Sequence, residues 1–356
     1  MRPVEDKFDV KRLWSFRAKD RFNTLVVDTI FRYPGLSVIL GGEDGIIRIH
    51  AQPPTGIHDK QPQKPKGTLE TKSGPVQNLV VHDVTRFYHK DLIVGDATGR
   101  LTVFCDSQIL SRQTISSHGI NCVQVLQDPI GNVSIVSSDS SGVIAAHLPS
   151  AELWRINLND QHIARDPGLS LSVKCLLAVE VTSHQGQRSS YILASDNARQ
   201  VQVINQGVVV LTIKTPETIT AMCSGTFLPR AKLSLPPDKG DYSEDKPVTQ
   251  IALGASNGAI YILHDFTLSQ DEYANTGLPI MHLSGLSIPD IQSDLLLCAG
   301  HFNTLQVFYE GKKSGQYQMV DWVNSLHLVD LDGDGTQEVV LGCLDNSVSA
   351  LKISAT

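Results

Sequence analysis

The sequence predicts an all-β fold: a seven-bladed propeller of four-stranded antiparallel blades, closed by an N-terminal strand that completes the last blade. Three observations carry this expectation. Apolar residues alternate with period two in short runs bounded by turn residues, and no segment of a dozen residues holds an i, i+3, i+4 apolar face. One pattern, an apolar triplet, a small residue, a four-residue turn and a second alternating strand, recurs seven times at intervals of roughly 50 residues. The seventh copy runs out at "LKISAT" without an outer strand, while a spare strand-like segment stands near the other end of the chain.

The copies begin at Val38, Leu92, Ile135, Ile192, Ile251, Leu296 and Val339. Gly45, Gly99, Gly142 and Gly258 share one turn position, with Asn303 and Asn346 substituting in two others. These residue types tolerate the positive φ that a tight hairpin requires. An inner strand precedes each copy: residues 75–95 lie without a gap over residues 279–299 and 322–342, and Asp83 falls on Asp330. A four-stranded sheet of this size buries its faces only against its neighbours, and a ring of them leaves only short protected edges. The repeats therefore make residues 1–356 a single domain, with blades from about residue 21 onward. Outer strands are expected at "ILSRQTIS", "ELWRINL" and "GVVVLTIK". The segment "VKRLWSFRAKD" (residues 10–20) resembles "AELWRINLND" and precedes the first inner strand, "FNTLVVD". It is the candidate clasp that removes the open edge of the last blade.

Composition narrows the function classes. The chain has 356 residues, 41% hydrophobic and 19% charged, with a net charge of -7, which suits a globular protein with an ample core. A basic stripe with interleaved aromatics is missing, which argues against a nucleic-acid partner. The start "MRPVEDKFDVKRLWSF" has no apolar signal region, and no apolar run reaches the roughly 18 residues a membrane span needs. A cytoplasmic location without membrane insertion is the expectation. Six cysteines are scattered without C-x-x-C spacing, mostly within strand-like runs, and are read as buried free thiols.

The densest group of acids is "LVDLDGDGTQEVVLG", which packs Asp330, Asp332, Asp334 and Glu338 into nine residues. An EF-hand would need helices on both sides and a Glu at loop position 12, where this chain has Leu341. The flanks alternate as strands, so this is a carboxylate loop inside a β-hairpin. Two carboxylates about 4 Å apart repel by roughly 4 kcal/mol at an effective dielectric of about 20. Either a cation enters or the loop stays open and hydrated, since Asp-Gly steps also make turns without metal.

Together, the blade pattern and the D-x-D-G-D-G-x-x-E loop between inner strands resemble the FG-GAP/VCBS-type propellers. That family includes the integrin alpha head and intracellular relatives such as the BBSome propellers and the FG-GAP propeller of the KICSTOR complex. Blade resemblance covers the whole chain, whereas the loop motif is intact once; the second copy keeps Asp83 but has Thr85 and Phe87 at the next two ligand positions. WD40 repeats fit less well, because no Trp-Asp dipeptide ends a blade and no Gly-His opens one. The resemblance implies one structural Ca2+, surrounded by the side chains of Asp330, Asp332, Asp334 and Glu338 and the carbonyl of Thr336.

Catalytic motifs do not emerge. The sequence has no H-E-x-x-H, no G-x-S-x-G and no phosphate loop, and "GGEDG" (residues 41–45) leads into a strand rather than a helix, as a hairpin turn does. In an antiparallel blade the loops after strands one and three emerge on one face. The long inserts cluster there: residues 51–67, 182–190, 228–247 and 265–277, with the carboxylate loop. The other face carries tight turns except at residues 159–170. Loops carry function more often than scaffold does, so the inserts are the expected contact surface for other protein subunits. The expected function is a non-catalytic interaction scaffold in a larger intracellular complex, with no small-molecule substrate. Two alternatives are a calcium-stapled adhesion or lectin-like extracellular propeller and an enzyme with an axial site. The resemblance points toward ciliary cargo adaptors or nutrient-signalling scaffolds, in trafficking or signalling, with association to cilium or lysosome through partners.

Overall fold

The computed structural model describes residues 8–87, 89–162, 170–182, 188–229, 232–233 and 249–355. Seven sheets form, each with four consecutive antiparallel strands as its backbone. The first strands of the blades are Phe22–Asp28, Val76–His82, Ile120–Gln127, Val173–Thr182, Ile219–Gly225, Ile280–Leu286 and Val323–Val329. Each touches the first strand of the next blade, and the last touches the first, so these strands line the axis of a closed ring. Helix among the described residues is confined to Leu158–His162.

The core is divided as the repeat demands. Seven clusters of buried apolar side chains occur among the described residues, one at each junction between neighbouring blades. Second strands are the most buried: Ser37–Gly42, Glu338–Cys343 and Leu295–Gly300 are buried at every residue. They are flanked by sheets on both faces, so alternation gives way there to continuous apolar runs.

A β-bulge sits at the same place in all seven blades, where the first strand begins to pair with the second. A bulge twists its strand and re-aims a side chain. Here side chains at the bulge, or in blade two the residue just after it, reach the next blade. Asn23 Nδ2 donates to Val76 O at 2.9 Å, Asn78 Nδ2 to Asn121 O at 2.9 Å, Asn121 Nδ2 to Val173 O at 2.5 Å, and Asn324 Nδ2 to Phe22 O at 2.7 Å. Thr220 Oγ1 donates in the same sense to Ile280 O. In the fourth blade Lys174 holds the bulge position, and Ser195 Oγ supplies the link instead, donating to Ile219 O at 2.8 Å. The recurring apolar-Asn dipeptides of "FNTLVV", "INCVQV" and "VNSLHL" are the trace of this device in the sequence.

The clasp is present. Strand Phe8–Arg17 pairs antiparallel with Ser347–Ala355 over its whole length, matching Val10 to Ile353 and Phe16 to Val348. It carries Trp14 (0% exposed) and Phe16 (2%) into the junction with the first blade, against Phe22, Leu25, Val38 and Leu40. The seventh blade is thus built from both ends of the sequence.

Two inserts turn out to be structural. Within residues 51–67, His58–Pro62 adds a fifth, parallel strand to the seventh blade, alongside Phe8–Arg17. Gly56 N donates to Leu13 O at 2.7 Å, Ser15 N to Ile57 O at 3.0 Å and Gln63 N to Arg17 O at 3.1 Å. The insert of blade one therefore straps the clasp down from outside and covers its free edge. Residues 265–277, expected as an insert, hold the outer strand of blade five in two pieces, Thr267–Leu268 and Ala274–Asn275, both paired with Ala259–His264. The turn between them and the third strand uses Asp265 and Phe266, both at positive φ, where glycine is the usual signal. Inserts 182–190 and 228–247 fall largely outside the described residues, as does much of 159–170.

The turn assignments hold at Gly45, Gly99, Gly142, Gly258 and Asn346, all at positive φ. At Gly99 a Cβ would lie 2.2 Å from Ser116 O, so only glycine fits. Arg199 adopts the same conformation, with φ 59, in the fourth blade. Asn303 does not, because that hairpin is tightened around His301, with Gly300 paired to Phe302. Buried Asp96, Asp139 and Asp196 brace their turns, each accepting two backbone N–H groups on Oδ1.

His50 and His147 lie on third strands at 1% and 0% exposure, without a protein hydrogen-bond partner. Burial lowers both imidazoles to about 4; Arg48 adds to the effect at His50, while at His147 Glu152 opposes and Arg155 reinforces it. In the unfolded chain these groups take a proton near 6.5, so acid favours unfolding.

Two outcomes are expected. Trp14→Ala should lower stability in urea unfolding by about 3–5 kcal/mol, as core aromatic truncations do, and deletion of residues 1–20 should abolish the cooperative transition; an unchanged midpoint in either variant would contradict the clasp. Stability should be full above about pH 6.5 and fall as the pH drops toward about 4, by about 2–3 kcal/mol for each imidazole. Unfolding curves at pH 7 and 4.5 test this, and the loss should shrink in His50→Phe.

Candidate functional site

The carboxylate loop joins the first and second strands of the seventh blade, on the face that the inserts share. Gly333 and Gly335, at φ 78 and 86, curl the backbone so that its own amides turn inward. Asp330 accepts from Gly333 N at 2.7 Å on one oxygen and from Gly335 N at 3.0 Å on the other. Asp332 accepts from Asp334 N at 3.2 Å, and Asp334 from Thr336 N at 2.8 Å. Glu338 is 1% exposed, and its Oε2 accepts from Leu331 N at 2.8 Å.

A residue that sequence reasoning missed enters from the third strand. Lys352 Nζ lies 3.0 Å from Asp332 Oδ2, 2.6 Å from Asp334 Oδ2 and 3.0 Å from Glu338 Oε1. The ammonium, followed by the Thr336 hydroxyl and amide, holds Asp334 well below the usual carboxylate range. The carboxylates in turn raise Lys352, with Asp334 contributing most. A signal for it existed: the corresponding residues of the other copies are Ala51, Cys105, Leu148, Asn205, His264 and Tyr309, so a full cation stands only beside the acidic loop.

Of the expected ligand set, Asp330, Asp332 and Glu338 bring one oxygen each within 4.8 Å of one another, while Asp334 stands outside that group. As placed, these groups do not fit a resident Ca2+. Calcium takes 6–8 oxygen ligands with lone pairs turned toward it. Here the ammonium of Lys352 lies against Asp332, Asp334 and Glu338, in the space between the carboxylates that the ion would need.

A second feature lies farther round the same face. The loops after the first strands of blades two and three and the outer hairpins of blades three and four enclose a groove of 810 Å3. Its apolar wall includes Val84, Leu126, Pro129, Leu153 and Trp154, and Arg86 and Arg188 stand at its polar side. Arg86 Nη2 donates to Gly131 O at 2.8 Å and ties the two loops together. Phe87 and Ile130, each next in sequence to a lining residue, are 62% and 85% exposed. The tight-turn face also exposes apolar side chains. There Val320 and Trp322 are 76% and 41% exposed and Leu344 53% exposed; the Trp322 indole stacks on His301 at 4.7 Å.

The four buried cysteines are held inert. All six cysteines are free, and burial pushes Cys343 up to about 12 and Cys175, Cys223 and Cys298 higher still. Thiols in apolar surroundings stay protonated and unreactive.

No protein-family model matches the chain, and no curated protein matches its sequence. Solved structures do match, at the level of fold. BBS1N, crystallised in complex with ARL6DN, superposes with a TM-score of 0.69 at 10% identity, covering 99% of both chains. Saccharomyces cerevisiae Sqt1 gives 0.63 at 14% identity, covering 97% of this chain and 99% of its own. The WD40 β-propeller domain of Doa1 gives 0.62 at 10% identity, covering 97% of each. The first agrees with the resemblance to BBSome propellers; the last shows that the WD40 ring geometry is reached here without its sequence motif.

Glu338→Ala should destabilise the fold by about 1–3 kcal/mol, because it strands the buried Leu331 N–H. Chemical denaturation measures this. Asp330→Ala, whose partners are exposed glycine amides, should cost less.

Proposed function

We propose that this propeller is a non-catalytic protein-binding subunit of a larger assembly inside the cell, and that it engages its partner through the groove between blades two, three and four. The groove carries the reading. Exposed Phe87 and Ile130 stand next in sequence to residues of an apolar wall that includes Trp154 and Leu153, and exposed apolar patches of this kind mark interaction sites more often than chance surface does. The floor is rigid, because it is made of paired strands and of loops tied by the Arg86–Gly131 bond. A partner meeting it therefore pays little to order it.

Three further points support the reading. A propeller of the same fold, BBS1N, is described in complex with a protein, ARL6DN. Six free thiols suit a reducing compartment. One face of the ring carries both the groove and the carboxylate loop, as partners that bury about 800 Å2 per side require.

Phe87→Asp with Ile130→Asp should leave the fold intact by circular dichroism and reduce co-purification of native partners at least tenfold, the expected cost of placing two charges beside an apolar contact surface. Trp322→Asp on the opposite face serves as the control and should retain them. Full retention by the folded double variant, with loss in Trp322→Asp, would move the surface to the tight-turn face.

A further inference from the structure

We infer that Lys352 occupies the place a divalent cation would take in the carboxylate loop, so that the loop closes without calcium and discriminates against it. The inference is independent of the groove. It rests on where the lysine is anchored. Lys352 belongs to strand Ser347–Ala355, whose pairing with Glu338–Cys343 sets Val339 opposite Leu351. One step along that register brings Lys352 beside Glu338, on the opposite side from the buried Leu351. Its backbone is also fixed from the other side, where it pairs with Lys11 of the clasp. The ammonium is therefore delivered by the sheet and not by the loop, and it arrives whether or not the loop has formed.

The chemistry at the tip matches the loop's need. An ammonium has three donors and no acceptor. Three carboxylates, Asp332, Asp334 and Glu338, lie within 3.0 Å of it. The fourth, Asp330, is satisfied by two glycine amides. Glu338 shows why a cation is needed there: its side chain is fully buried, and its Oε1 has no hydrogen-bond donor other than this ion-pair partner. A Ca2+ entering the loop would have to displace a tethered positive charge from three of the four carboxylates. Neutralising the lysine while keeping most of its unbranched length should therefore uncover the calcium site that the D-x-D-G-D-G pattern encodes.

The test compares the intact chain with Lys352→Met by calorimetric Ca2+ titration and by thermal unfolding with and without millimolar CaCl2, with MgCl2 as the specificity control. The wild type should show no Ca2+-dependent shift. Lys352→Met should melt lower without metal, bind Ca2+ at least tenfold more tightly than the wild type, and recover stability when Ca2+ is added. Lys352→Arg should behave as the wild type, and Asp332→Asn combined with Lys352→Met should regain metal-free stability while losing the Ca2+ response. If Lys352→Met does not fold without metal, its folding yield with and without CaCl2 reads the same comparison. Wild-type binding as tight as the variant's would overturn the inference. So would a Lys352→Met protein that is stable without metal, or one that is destabilised and not rescued by Ca2+.

Discussion

Every blade of this ring depends on the antiparallel pairing of Phe8–Arg17 with Ser347–Ala355. A single four-stranded sheet cannot bury its own faces, and each of the seven core clusters here is shared between two neighbours. The stability of any blade is therefore conditional on the blade beside it. An open ring would expose two faces and a row of unpaired backbone groups, a template for aggregation. Closing it with a strand from the opposite end of the chain makes the last junction like the other six, and Trp14 and Phe16 fill it. The parallel strap His58–Pro62 then covers the remaining edge, so an insert that reads as decoration belongs to the closure.

A second, lateral system acts on the same geometry nearer the axis. The bulge at the start of each first strand frees a side chain; Asn23, Asn121, Thr220 and Asn324 use that freedom to reach a main-chain carbonyl of the next blade, and in the second blade Asn78, just after the bulge, makes the same link. Apolar burial between blades is non-directional and would tolerate sliding. Hydrogen bonds at fixed positions set the register, and buried ones are costly to leave unmade. Above this rigid frame the chain places its variable chemistry, the carboxylate loop and the apolar groove, on one face.

What could be read from the sequence follows from periodicity and turn chemistry. The seven copies and the spare N-terminal segment gave the ring and its closure because strand alternation and Gly-bearing turns are local signals. Positive φ at Arg199, Asp265 and Phe266 was hidden, since residue identity there does not announce it. The strap at residues 58–62 was hidden too: "GIHDKQPQ" has no alternating apolar face to mark it as a strand. The acids of the candidate site were visible because they are adjacent in sequence. Lys352 was not, because only the sheet register brings it to them, and the groove combines loops more than 40 residues apart, such as Arg86 and Gly131. Non-local sites of this kind become legible only once the ring is drawn.

The central claim, that the two chain ends form one blade, is tested most directly by amide hydrogen exchange on the intact chain. Amides of Phe8–Arg17 should be as protected as those of Ser347–Ala355 and should open together with them, at the free energy of global unfolding, because losing the clasp strips Trp14 and Phe16 from the core that joins the seventh and first blades. Rapid exchange of Phe8–Arg17 under native conditions, with Ser347–Ala355 still protected, would contradict the account.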